Sequence, residues 1–200
     1  MSSENSETRF RILQAALDLL ESGQGNGVRM TDIARQAGIS RQAVYLHFNT
    51  RAELLVSATH YLDKLHNTDE RLAASRSAPT GVKRLETYID AWGKYIPEIH
   101  GIAKALLAMR DSDDAAAEAW DERMRAMREG CQAAIKALHH DGMLNPDYSQ
   151  KTATDILWTM LSIRNWEQLT DQCGWTNKKY ISEIKLLTRR IFVVNETEEA

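Results

Sequence analysis

Two cysteines in 200 residues, Cys131 and Cys173, stand far apart with no second Cys or His at ligand spacing, which excludes a disulfide framework and a zinc site. Both read as packed or half-exposed thiols. Three prolines and ten glycines are too few for a low-complexity or linker-dominated chain, so order is expected along nearly the whole length. No stretch approaches the roughly 18 apolar residues of a membrane span, and the polar start Met1-Ser2-Ser3-Glu4 has no apolar core behind it. The expectation is a cytoplasmic protein with no membrane partner. Strong charge of one sign is missing too. A formal net charge of −3 excludes binding nucleic acid by bulk charge, as histones do. Any DNA affinity has to come from a local site. Residues 1–52 hold six cations (Arg9, Arg11, Arg29, Arg35, Arg41, Arg51) against five anions (Glu4, Glu7, Asp18, Glu21, Asp32), leaving +1 there and −4 in the remainder.

Apolar/polar alternation of period two is absent as well, whereas spacing of three and four recurs, as in Leu13, Ala16, Leu17 and Leu20. The chain reads as all-α, with about nine helices. Gly23 to Gly27 is expected to close the first helix and Ser75 to Gly81, with Pro79, to form the clearest linker. Pro97 should end a helix near Ile96, because proline lacks the N–H that the helix ladder needs. Asp111-Ser112-Asp113 can cap a long helix stopping at Gly142. Helices over about 149–172 and 177–194 follow, the second opened by Thr176 as N-cap with Trp175 and Tyr180 as a hydrophobic staple. Its apolar residues Tyr180, Ile184, Leu187, Ile191 and Val194 make one stripe suited to helix packing. The acidic tail Glu196-Thr197-Glu198-Glu199 should fray.

Residues 29–48, Arg-Met-Thr-Asp-Ile-Ala-Arg-Gln-Ala-Gly-Ile-Ser-Arg-Gln-Ala-Val-Tyr-Leu-His-Phe, follow the grammar of a helix-turn-helix. Thr31 is placed to N-cap the first helix, Gly38 supplies the left-handed residue after it, and Ser40 N-caps the second. Thr50-Arg51-Ala52-Glu53 is a capping box that opens a fourth helix. A helical wheel joins Val44 and Phe48 on one face, with Ile33, Ala34 and Ile39 to cover them. The opposite face holds Gln42, Ala43 and Leu46, flanked by Arg41 and Tyr45 on one side and His47 on the other. Leucine there suits a major groove better than water: Gln can pair with adenine, and small or apolar groups can touch thymine methyls. Arg41 can take a guanine or hold a phosphate.

The run from Thr31 to Phe48, with Ile12-Leu-Gln-Ala-Ala-Leu17 before it and Arg51-Ala-Glu-Leu-Leu55 after it, closely resembles the TetR-family signature. Gly142-Met-Leu144, Ile156-Leu-Trp158, Trp166-Glu-Gln-Leu169 and Gly174-Trp-Thr with Tyr180 resemble, more weakly, a pattern of the same family's regulatory domains. The resemblance implies a three-helix DNA-binding domain over residues 7–66, with its helix-turn-helix at 29–48, and a helical-bundle ligand-sensing and dimerisation domain over 67–200. It further implies a transcriptional regulator, most readily a repressor, that binds a palindromic double-stranded operator as a homodimer and is released by a small-molecule effector. Phosphate contacts fall by resemblance on Thr31, Tyr45, His47 and Arg51. At Arg51 the family's usual lysine is replaced, which keeps charge but changes geometry.

By the same resemblance Trp92, Ile96, Met109, Trp120, Met124, Met127 and Trp158 lie on stretches that line an effector cavity. Each reads more readily as core, where Trp and Met at helical spacing commonly sit, than as a ligand contact. No paired Glu-x-x-His segments, nucleophile and base arrangement or glycine-rich phosphate loop occurs, so no catalytic residue, metal ligand or cofactor is expected. Two rivals remain: a helix-turn-helix protein that activates, or acts without a ligand, and a helical domain with no DNA role.

Overall fold

The computed structural model describes residues 3–22 and 28–194; the Gly23–Gly27 stop and the acidic tail lie outside the described residues. Among those residues the chain forms ten α-helices: α1 Ser3–Glu21, α2 Met30–Gln36, α3 Arg41–His47, α4 Arg51–Leu65, α5 Thr68–Arg76, α6 Gly81–Met109, α7 Asp114–His140, α8 Gln150–Met160, α9 Ile163–Glu167 and α10 Asn177–Phe192. A five-residue π-helical turn, Gln168–Gln172, follows α9. The chain is all-α, with no β-strand among the described residues and one isolated bridge between Leu144 and Val193. No described helix is long and apolar enough to cross a membrane.

The helices gather into two compact units. One takes residues 1–68 and 99–124; the other takes 69–98 and 125–200, so α6 and α7 each contribute to both.

The first unit is built on the α1 stripe. Ile12, Leu13, Ala16, Leu17 and Leu20 are all buried, and they close on Ile33 and Ala34 of α2, Val44 of α3, Phe48, and Leu54, Leu55 and Ala58 of α4. Ile102, Leu106, Ala116 and Ala119, from the end of α6 and the start of α7, complete the same core. Each fully buried Leu or Ile contributes about 1.5–3 kcal/mol relative to exposure, which offsets the entropy of ordering short helices that would not persist alone.

In the second unit, α6 does not end at Ile96 but runs through Pro97 to Met109. The ring removes the donor that would have met the Gly93 carbonyl one turn earlier. That carbonyl accepts instead from Asn177 Nδ2 at 3.0 Å, while Asn177 Oδ1 accepts from Trp166 Nε1 at 2.9 Å. A side chain from the first turn of α10 therefore repairs the helix. A Cβ at position 93 would lie 2.5 Å from Ile181 Cγ1, so only glycine lets α10 come this close.

The single helix expected over 149–172 is instead three segments. Leu161 ends α8, and Ser162 opens α9 by accepting from the Asn165 N–H at 3.3 Å. The α10 stripe is divided: Tyr180 and Ile184 are buried, as are Thr188 and Phe192 beside them, whereas Leu186 and the stripe's Leu187 stay 42% and 40% exposed. Two residues of the stripe, Tyr180 and Ile184, are thus used by the chain's own core.

Candidate nucleic-acid interface

Between α2 and α3 the backbone turns at Gly38, whose φ of +69° is the left-handed conformation that side chains disfavour. No atom lies within 4 Å of where a Cβ would stand, so conformation and not crowding calls for glycine. Ser40 then caps α3, its hydroxyl accepting from the Ala43 N–H at 3.1 Å. Thr31 does not cap α2. The N-cap is Arg29, whose carbonyl accepts from Asp32 and Ile33 while its side chain makes no cap bond; Thr31 lies inside the first turn and is exposed. The helix begins two residues earlier than the capping preference suggests, with Met30 drawn into the core.

The two faces of α3 differ sharply. Val44 is buried, as is Phe48 just beyond the helix, while Leu46 is 86% exposed and Tyr45 40%. Arg41 and Gln42 are exposed, and Ala43 and His47 are half-exposed. Arg41 and Tyr45, one turn apart, support each other: the guanidinium lies 5.5 Å from the ring centre and Nη2 is 3.4 Å from the phenol oxygen. Arg41, Gln42, Tyr45 and Leu46 therefore form one outward surface that mixes a cation, an amide, a phenol and an apolar group.

What holds this short helix in place comes partly from far along the chain. Arg9 of α1 donates from Nη1 to the His47 carbonyl at 2.7 Å, at the helix C-terminus, and its guanidinium sits 4.0 Å over the Phe48 ring. A cation there satisfies an orphan carbonyl and complements the helix dipole. Sequence reading passed over Arg9, since no spacing rule links it to a helix end so distant in the chain.

On the far side the chain re-enters helix at once. Thr50 Oγ1 accepts from the Glu53 N–H at 3.0 Å, and Glu53 Oε2 accepts from the Asn49 N–H at 2.9 Å, so the expected capping box forms with its return bond one residue early. Arg51, expected at a phosphate, points inward. Its Nε donates to the Val28 carbonyl, its Nη1 meets Asp113 Oδ1 at 2.6 Å, and only 23% of its side chain is exposed. The Arg51 hydrogen bond holds the Asp113 carboxyl below the usual carboxylate range. In this geometry the guanidinium is committed within the protein and is not offered to DNA.

Residues 12–58, which span α2, α3 and most of α1 and α4, match the family described as bacterial regulatory proteins, tetR family. Over this N-terminal segment the chain is similar to the TetR family.

The HTH-type transcriptional regulator TtgR of Pseudomonas putida is 37% identical over 82 residues, which are 41% of this chain and 38% of TtgR. The alignment thus spans well under half of that relative. The HTH-type transcriptional regulator CymR of Pseudomonas putida is 26% identical over 163 residues, 78% of this chain and 75% of CymR. Among solved structures, NalD, described as the secondary repressor of the MexAB-OprM multidrug efflux pump in Pseudomonas aeruginosa, superposes with a TM-score of 0.69 at 19% identity. That superposition covers 97% of this chain and 100% of NalD and speaks for the fold.

The residues expected to line an effector cavity divide between the two units. Trp92, Ile96, Met127 and Trp158 belong to the second; Met109, Trp120 and Met124 belong to the first, where Met109 and Trp120 pack on its apolar core. Ile96 and Met127 are buried. Trp92 gives its indole N–H to the Leu161 carbonyl at 2.8 Å and meets the Tyr95 ring edge-on. In the same unit Tyr88 Oη donates to the Met127 carbonyl at 3.0 Å and lies 4.0 Å from Cys131 Sγ. Burial pushes the Cys131 thiol up to about 12, which keeps it protonated and unreactive.

Proposed function

We propose that the chain is a DNA-binding transcriptional regulator that acts as a homodimer on a palindromic operator, most readily as a repressor, and is released by a small-molecule effector. The observation that carries the DNA reading is the outer face of α3. A leucine 86% exposed beside Gln42 and Arg41 is costly against water and fits thymine methyls and base edges in a major groove. Residues 7–66 form the DNA-binding domain in this reading and 67–200 the sensing and dimerisation part. Gln42, Ala43 and Leu46 read bases, Arg41 reads a base or holds a phosphate, and Thr31, Ser40, Tyr45 and His47 approach the backbone. Repression is supported by the fold shared with NalD.

The dimer surface is supported by exposed Leu186 and Leu187 on α10, with α8 beside them as the family's usual partner helix. The effector reading rests on the Trp and Met side chains of α6, α7 and α8. Trp92 and Trp158 are the reporters, and binding there must differ between the DNA-bound and released states to have any effect.

Mobility shift with the DNA flanking the chain's own gene, alongside random duplex, tests the central point. Gln42→Ala should weaken the preferred duplex by about 1–3 kcal/mol and change random DNA little, because a base contact carries sequence information. No shift on any duplex would refute the reading. Light scattering should give twice the chain mass. A ligand that quenches tryptophan fluorescence should weaken duplex binding to the same degree that duplex weakens the ligand.

A further inference from the structure

The end of the recognition helix and the start of α4 have no slack between them. Only Phe48, Asn49 and Thr50 separate α3 from α4; Phe48 is fully buried, and the bonds of Glu53 to Asn49 and Thr50 lock the other two. Wherever the first turn of α4 goes, the reading face must follow. That turn is held by one guanidinium. Arg51 Nε takes the carbonyl of Val28, two residues before α2, and Nη1 takes Asp113, whose carboxylate also accepts from the Ala115 and Ala116 N–H groups at 3.1 and 3.2 Å and so caps α7. The remaining nitrogen, Nη2, is enclosed with no acceptor among the described residues, so no part of the fork is turned toward a ligand. Farther along α4 two more pairs join the same helices: Arg123 with Asp63, and His60 with Glu122 at 3.4 Å. The fork also explains why arginine stands here. A lysine ammonium on its single stem is a point charge and does not present the planar fork that meets a carbonyl and a carboxylate at once.

We propose that Asp113, acting through Arg51, is a positioning residue for the DNA-reading face: together they tie the start of α7 to the entry of α2 and to the first turn of α4. The proposal rests on the DNA-binding reading above and specifies how α3 is held for it. Arg51 in this role is a strut that does not touch phosphate, and the first turns of α7 are the handle by which the reading head is moved.

Asp113→Asn tests this cleanly, because asparagine still caps α7 while the charge is removed. Arg51→Gln and the double variant complete a cycle. The probe is the duplex that the wild-type full-length chain enriches from a random-sequence pool. Each single variant should weaken that duplex by about three- to ten-fold, and the double variant should be no worse than either single, since both break one linkage. The slope of log affinity against log salt should stay at the wild-type value. A loss of about one unit of slope per subunit in Arg51→Gln, with Asp113→Asn neutral or tighter, would make Arg51 a phosphate ligand and overturn the proposal. Amide hydrogen exchange on the free chain gives a readout independent of DNA. In Asp113→Asn, protection should fall over residues 51–55 and stay unchanged in α10; unchanged protection over 51–55 also overturns it. If the pool yields no enriched duplex, the DNA-binding reading fails, while the exchange result still decides whether the strut exists.

Discussion

Among the described residues of the first unit the only buried aromatic ring is Phe48, and the only buried polar side chain is Thr59, which donates its hydroxyl to the Val56 carbonyl. The second unit buries Tyr88, Tyr95, Trp166, Tyr180 and Phe192 together with Cys131, Ser75, Thr154 and Thr188. An aliphatic core is non-directional: it is stabilised by area and tolerates small rearrangements. Rings with N–H and O–H groups demand partners at fixed angles, and the Trp92 to Leu161, Trp166 to Asn177 and Tyr88 to Met127 bonds set the register of helices in the second unit. The first unit thus places its polar groups at its rim, holding a reading face, while the second has them inside. Fold stability should respond differently to substitution in the two.

The widest expected gap comes from Phe48→Ala. It empties the one large ring in the first core and removes the platform under Arg9, so it should cost about 3–5 kcal/mol and show as a lowered denaturation midpoint. A loss under about 1 kcal/mol would mean that this core collapses around cavities far more easily than aliphatic cores do. In the second unit the matching stress is crowding. A Cβ at Gly81 would stand 2.5–2.6 Å from backbone atoms of Ala137 and Leu138, so Gly81→Ala should destabilise by about 1–3 kcal/mol through a shifted helix contact. The urea midpoint should therefore fall further in Phe48→Ala than in Gly81→Ala.

Alkaline titration sharpens the contrast, since both cysteines lie in the second unit. In the unfolded chain the Cys131 thiol loses its proton near its ordinary value of 9.0, whereas in the folded chain burial holds the proton to about 12. The unfolded state therefore binds fewer protons in that window. The thiol's contribution to stability should be flat below pH 9 and fall between about pH 9 and 12, at a slope of at most about 1.4 kcal/mol per pH unit. Burial raises Tyr88 and Tyr180 as well, adding to the fall above pH 10. Cys131→Ala should flatten the curve between pH 9 and 10; if it does not, the thiol is more exposed than the fold places it. Exposed Cys173 should react with a thiol reagent in the folded state and Cys131 should not.

The smallest effect is expected at Tyr180. Its hydroxyl is buried with no hydrogen-bond partner among the described residues, so Tyr180→Phe removes an unsatisfied group and should leave the thermal midpoint unchanged or slightly raised. Tyr88→Phe is the control, because it removes a buried hydrogen bond to the Met127 carbonyl and should lower the midpoint. Equal losses in both would show that the Tyr180 hydroxyl has a partner after all.

Local chemistry made much of the reading head legible. Ser40 and Thr50 as caps, Gly38 as the left-handed turn residue and Val44 with Phe48 as the inward face all follow from side chains acting within four residues of themselves. The same rules failed wherever a distant residue changed the local balance. Proline stops a helix when the carbonyl it strands has no donor; Asn177, eighty-four residues beyond Gly93, supplies one. The apolar stripe on α10 read as one continuous surface, yet which neighbour covers a stripe is set by topology, and the fold divides it: Tyr180 and Ile184 are buried while Leu187 stays exposed.

The sequence by itself determined the all-α class, the helix-turn-helix, the outward group of Arg41, Gln42 and Leu46, and the capping of α3, α4, α7 and α10, because periodicity and capping are short-range properties written in consecutive side chains. Only the tertiary structure decided that Arg51 faces Asp113, that Arg9 closes the recognition helix, and that the tryptophans and methionines of the second half divide between two units. Those outcomes depend on where a long cationic side chain or a ring finds its acceptor or its cavity. That is settled by the packing of helices far apart in the chain, which no local pattern encodes.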